Sequence, residues 1–111
     1  MFSTERPIYR QIRDLIVSRI LHAGDGALLP SVRALAADAG VNPLTVAKAY
    51  QDLQAGGMVI ARKGVGLFAA DGAAKALLKA ERTLFLTEEW PRVQARMGQL
   101  GIDVTDLVER V

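Results

Sequence analysis

Sorted by what their side chains could do, the residues of this chain exclude most covalent chemistry. Its 111 residues hold no cysteine, so neither a disulfide framework nor a thiolate metal site can be written, and His22 is the one histidine. Ser31 has no base in sequence beyond His22, and Glu88 and Glu89 are neighbours that a helix would point in different directions. The glycines of "KGVG" (63–66) lack the length of a phosphate loop that opens a helix. Hydrogen-bond donors and cations remain: Ser31, Arg33, Asn42, Thr45, Lys48, Arg62 and Lys63. Such a set grips an anion or reads a hydrogen-bonding edge without making or breaking bonds. No catalysis, cofactor or metal is expected.

These groups must be positioned by local structure, and the sequence marks where. In "GVNPLTVAKAY" (40–50), Asn42 is a preferred helix cap and Pro43 suits the first turn, where no N–H is needed. Val46, Ala49, Tyr50 and Leu53 then follow a buried i, i+3, i+4, i+7 stripe. Tyr50 is read as core, with a hydroxyl in reach of a phosphate. Ahead of this helix, Ser31 caps another that puts Val32, Leu35, Ala36 and Ala39 on one side and Arg33 off it, and Gly40 ends it. The first helix runs from Pro7 to His22 with Ile8, Ile12, Leu15, Ile16 and Ile20 as its apolar stripe. "ALL" (27–29) is a short extended piece before Pro30, which disfavours helical dihedrals at Leu29. After residue 57, "MVIA", "RKGVG" and "LFAA" read as two strands joined by a basic turn. The order is helix, short strand, helix, tight turn, helix, hairpin. That is a winged helix-turn-helix, three helices with a short β-hairpin wing, over residues 1–70.

Charge agrees with this placement. Residues 1–70 carry eight Lys/Arg against five Asp/Glu, whereas 71–111 carry six against seven, so the basic excess sits where a polyanion would bind. The start, "MFSTERPIYR", has charges where a signal peptide needs an apolar run, and no stretch approaches the ~18 apolar residues of a membrane span. A cytoplasmic protein is expected.

"PIYRQI", "LPSVRALAADAGVNPLTVAKAYQDL" and "GMVIARKGVGLF", in that order, resemble the GntR family of bacterial transcription regulators, and within it the small YtrA-like subgroup. The resemblance covers residues 7–70, and a short helical tail fits the subgroup. It implies a homodimeric repressor on a palindromic operator in double-stranded DNA. It also implies DNA contacts at Arg33, at 42–48 (Asn42, Pro43, Leu44, Thr45, Lys48), and at Arg62, Lys63, Gly64 and Gly66 of the wing. Two departures bear on base preference: Leu44 stands where the subgroup often has a polar residue, and Val65 and Leu67 replace a basic and a small polar residue of the wing. A recognition helix enters the major groove by its N-terminal end, so the short side chains of Asn42 and Thr45 suit close approach to base edges. Asn42 is read as a cap first and a base reader second, Lys48 as a phosphate contact. The Ser31 end of the preceding helix offers free N–H groups to phosphate. A module of this fold that binds protein partners is the rival reading, and the basic wing weighs against it.

Residues 71–111 read as helical. Leu77, Leu78, Leu84 and Phe85 make one stripe; Trp90, Val93, Met97 and Leu100 make another. Pro91 implies a break near Thr87, which would cap a new helix, and a last helix starts at Asp103 with Leu107, Val108 and Val111 as its apolar face. Stripes this large exceed what an appendage leaves in water, so the tail is expected to pack partly on the winged domain and otherwise on a second copy. A tail this short encloses no sizeable pocket alone, which leaves the space between subunits open to a small-molecule effector that the sequence does not name.

Overall fold

Ile12, Ile16 and Ile20 recur every four residues, and that spacing buries one face of α1 (Ile8–Ala23). The helix ends at Gly24, whose N–H donates to the Ile20 carbonyl at 2.8 Å. In this computed structural model residues 7–109 are described, and Val111 lies outside them. β1 (Leu28–Leu29), α2 (Val32–Ala39), α3 (Pro43–Ala55), β2 (Val59–Arg62) and β3 (Gly66–Ala69) come next along the chain. The strands form one antiparallel sheet in the order β1-β3-β2, with Leu29 opposite Leu67 and Arg62 opposite Gly66. The extended piece before Pro30 is therefore the third strand of the wing sheet.

The core gathers Ile12, Ile16, Val17 and Ile20 of α1, Leu35, Ala36 and Ala39 of α2, and Val46, Ala49, Tyr50 and Leu53 of α3. Ile8 and Leu15 lie at 48% and 43% exposure, contrary to the stripe expected of them, and Val17 is buried in their place. An i, i+3, i+4 stripe spans a wide arc. α1 is covered on the flank holding Val17, which leaves the opposite flank in water.

Asp25, in the turn after α1, accepts from the N–H groups of Gly72 at 2.8 Å and Ala74 at 3.0 Å. These are the orphan donors at the start of α4 (Ala73–Leu84), so that helix is capped by a residue 47 positions upstream. The hydrogen bonds from Ala74 and Gly72 hold the Asp25 carboxyl below the ordinary carboxylate range.

By contacts the chain divides between Leu78 and Lys79. The first unit extends past residue 70 because Ala73 and Leu77 are buried in its core. In the second, the helix does not break near Thr87. Phe85–Glu89 form a π-helical turn that runs straight into α5 (Trp90–Leu100), with the Trp90 N–H donating to the Phe85 carbonyl five residues back. The Thr87 hydroxyl donates to the Thr83 carbonyl at 2.8 Å and caps nothing. The widened turn accommodates Pro91, which a regular helix interior would not.

The π turn also explains the two separate stripes of the tail. Within the second unit, Leu84 and Phe85 are out of step with Trp90, Val93, Met97 and Leu100 along a regular helix, and one inserted residue rotates the downstream side chains by ~100°, which brings these two groups close to one face. Phe85 and Trp90 accordingly stack, with ring centroids 6.5 Å apart. α6 (Val104–Glu109) starts as expected at Asp103, which exchanges capping hydrogen bonds with Asp106 at 3.0 and 3.1 Å.

Candidate nucleic-acid interface

Two helix starts and a hairpin carry the proposed contact residues. At the start of α2 the Ser31 hydroxyl oxygen accepts from the Ala34 N–H at 3.1 Å, and Arg33 projects from the first turn into solvent. α2 ends at Gly40, whose left-handed backbone (φ 68°) favours glycine and turns the chain toward α3. At the start of α3, Oδ1 of Asn42 accepts from the Leu44 N–H at 2.9 Å, and Pro43 occupies the first turn. Asn42, Pro43, Leu44 and Lys48 are exposed, and Thr45 is half-buried.

Tyr50 fixes the two helices against each other. Its ring is 1% exposed, and its hydroxyl donates to the Pro30 carbonyl, one residue before the Ser31 cap. The hydroxyl is thus committed inside the protein and does not reach out to a phosphate. Burial pushes the phenol up to about 12, against a smaller opposing effect of the Arg19 charge.

Aromatic rings hold two of the cations. The Lys48 ammonium sits 4.7 Å from the centre of the Tyr9 ring of α1, and the Arg62 guanidinium 4.9 Å from that of Phe68. A cation held over a ring face keeps its charge while its stem loses freedom, so each is aimed before any ligand arrives. The sequence carries no sign of the Lys48–Tyr9 pair, whose partners lie on α3 and α1, whereas Arg62 and Phe68 stand diagonally across the hairpin. In the wing, Arg62, Lys63 and Gly64 are exposed, and the Val65 N–H closes the turn on the Arg62 carbonyl at 2.9 Å. Gly66 has φ 150°, and a Cβ there would lie 3.1 Å from the Leu28 side chain of β1. Gly66 is therefore a shape requirement of the sheet as well as a place for close approach.

The tail residues divide. Leu77 is 4% exposed within the winged core, which removes it from any face offered to a partner. Leu78, Phe85, Val93 and Leu100 are exposed, while Leu84, Trp90 and Met97 are half-buried. Val93, Met97, Leu100, Ile102 and Leu107 line an open groove of about 400 Å³ with Arg92 and Arg96 beside it. No helix among the described residues is long and apolar enough to cross a membrane.

Residues 4–68 match the model of the bacterial regulatory proteins of the gntR family. The chain is 34% identical over 113 residues to the uncharacterized HTH-type transcriptional regulator YhcF of Bacillus subtilis, covering 99% of this chain and 91% of the relative. It is 37% identical over 101 residues to the HTH-type transcriptional repressor YtrA of the same organism, covering 87% and 70%. A GntR family transcriptional regulator from Listeria monocytogenes superposes with a TM-score of 0.72 at 27% identity, over 99% of both chains. The DNA-binding domain of AraR, solved with its operator ORX1, superposes with a TM-score of 0.58 at 27% identity over 63% of this chain and 93% of that one.

Proposed function

The chain belongs to the gntR family of bacterial regulatory proteins, and from that premise we propose that it is a cytoplasmic repressor that binds an inverted-repeat operator as a homodimer. That it is a transcriptional regulator with a DNA-binding domain, and not an enzyme, comes with the family and its relatives. The observation that carries the finer reading is the pair of capped helix starts, tied together through Tyr50 and Pro30, with Arg33, Leu44 and Lys48 left exposed. In this reading the first turn of α3 lies against base edges in the major groove, with Asn42, Pro43, Leu44 and Thr45 nearest the bases. The N–H groups at the Ser31 end of α2 take a phosphate, Arg33 reaches a base edge, and Lys48 holds the backbone. Arg62, Lys63, Gly64 and Gly66 place the wing on the flanking backbone. Repression is supported by the relative named a repressor. Dimerisation is supported by the large apolar side chains that the tail leaves exposed or half-exposed: Leu78 at the end of the first unit, and Leu84, Phe85, Trp90, Val93, Met97 and Leu100 in the second.

Gel-shift titration tests the reading. Operator affinity should fall with salt, with a log–log slope of about −0.9 for each phosphate contacted. Arg33→Ala should cost about 1–3 kcal/mol on the operator and narrow its advantage over random duplex, while Lys48→Ala weakens both alike and flattens the slope by about one unit. Polar residues at Leu84 and Phe85 should give a monomer with weakened operator binding. No preference for any genomic fragment over random duplex would overturn the reading, and a dimer unmoved by the tail changes would relocate the interface.

A further inference from the structure

Leu44 is 77% exposed, the most exposed large apolar side chain among the described residues. It stands in the first turn of α3, and its backbone N–H is fixed to Asn42 Oδ1 at 2.9 Å. The helix beneath it is anchored by Val46, Ala49, Tyr50 and Leu53, each between 0% and 2% exposed. The side chain is therefore held out on a rigid element and contributes nothing to the core.

The neighbours of Leu44 discriminate poorly between bases. A carboxamide reads adenine by accepting from N6 while donating to N7. Asn42 has one of its oxygen's two lone pairs engaged in capping α3, so the helix and not a base sets the orientation of the amide, and its group not engaged in the cap is the NH2. That group is a donor, and it fits N7 of either purine, or a phosphate, without choosing. Pro43 has no donor. Thr45 is half-buried, and a threonine hydroxyl pairs with several bases. The one exposed feature of this turn with a single complementary group on a base is the branched apolar end of Leu44. In the major groove the complementary apolar group is the 5-methyl of thymine. We infer that Leu44 is a specificity-determining residue that reads the 5-methyl group of one thymine in each half-site.

This rests on the operator-binding reading above, and the experiment separates the two. The tightest duplex selected by the full-length protein from a random-sequence pool is resynthesised with each thymine replaced in turn by uracil, which removes the methyl and leaves base pairing intact. Wild-type affinity should drop about fourfold when that thymine is replaced in one half-site, the value of one methyl taken out of water, and about 16-fold when it is replaced in both. Leu44→Ala, a helix-forming change at an exposed position, should bind the thymine duplex more weakly and no longer distinguish thymine from uracil there. Circular dichroism and the retained response to salt establish that this variant is folded and binding. A wild-type protein that enriches no sequence from the pool overturns the operator reading itself. A selected duplex indifferent to every uracil replacement, or a Leu44→Ala protein that keeps the methyl effect, overturns the assignment of Leu44 alone.

Discussion

Replacing Tyr50 by phenylalanine isolates the bond that joins the two helix starts. The ring is 1% exposed and phenylalanine fills the same volume, so no cavity opens and the change removes one oxygen. The loss is the hydroxyl's hydrogen bond to Pro30, worth about 0.5–1.5 kcal/mol net. The Pro30 carbonyl is then left short of a partner, but Pro30 is half-buried and not sealed in the core, so less than the full penalty of a buried orphaned acceptor is expected. The expected loss is about 1–2 kcal/mol, or on the order of 5–10 °C in melting temperature at matched protein concentration. Urea denaturation should show a lower midpoint with an unchanged slope. The pH dependence gives a second reading. With the phenol raised from 10.0 to about 12, the fold binds a proton that the unfolded chain has released, so this contribution is whole below pH 10 and is lost as pH rises toward 12. The stability gap between wild type and Tyr50→Phe should therefore close across that interval. Operator affinity should fall with the variant at neutral pH, because the Ser31 end of α2 is no longer indexed to α3. Equal midpoints, with a gap that does not change between pH 9 and pH 12, would refute the role given to this hydroxyl.

Two further substitutions probe the scaffold. Asp25→Asn should lower the melting temperature at neutral pH, and the difference from wild type should shrink as pH falls below the ordinary 3.8, since a depressed carboxyl stabilises the fold only while ionised; a difference constant from pH 7 to pH 2.5 would contradict the capping role. Gly66→Ala should cost about 1–2 kcal/mol, mostly from the backbone at φ 150°, because the Leu28 methyl it would crowd ends a side chain that is 66% exposed and free to swing; thermal melting of the variant checks this.

The parts of the fold legible in the sequence are those set by neighbours within a turn or two. The Ser31 and Asn42 caps, the α2 and α3 stripes and the hairpin all arise from local spacing, and the structure holds them where that spacing puts them. The illegible parts depend on partners far along the chain. Nothing near Tyr50 announces Pro30, nothing near Asp25 announces Gly72, and Lys48 gives no sign of Tyr9. The tail is a different case, because its signal is present but reads as a break. Two apolar stripes out of step, with a proline where they meet, are the pattern that a π turn corrects, so stripe phase is the observable that Pro91 obscures.

The Asp25 cap has a consequence for the order in which the chain acquires structure. The first turn of α4 draws its acceptor from a residue 47 positions earlier, and that residue is brought to Gly72 once β1 has paired with β3 across the intervening α2, α3 and β2. A long-range closure of this kind is unfavourable until the intervening contacts exist. A helix of 12 residues is marginal by itself, so the first turn of α4 is expected to be secured after the segments between Asp25 and Gly72 have closed. Loss of the Asp25 carboxylate should therefore loosen the start of α4 before it disturbs α2 and α3, an order that amide hydrogen exchange would read directly.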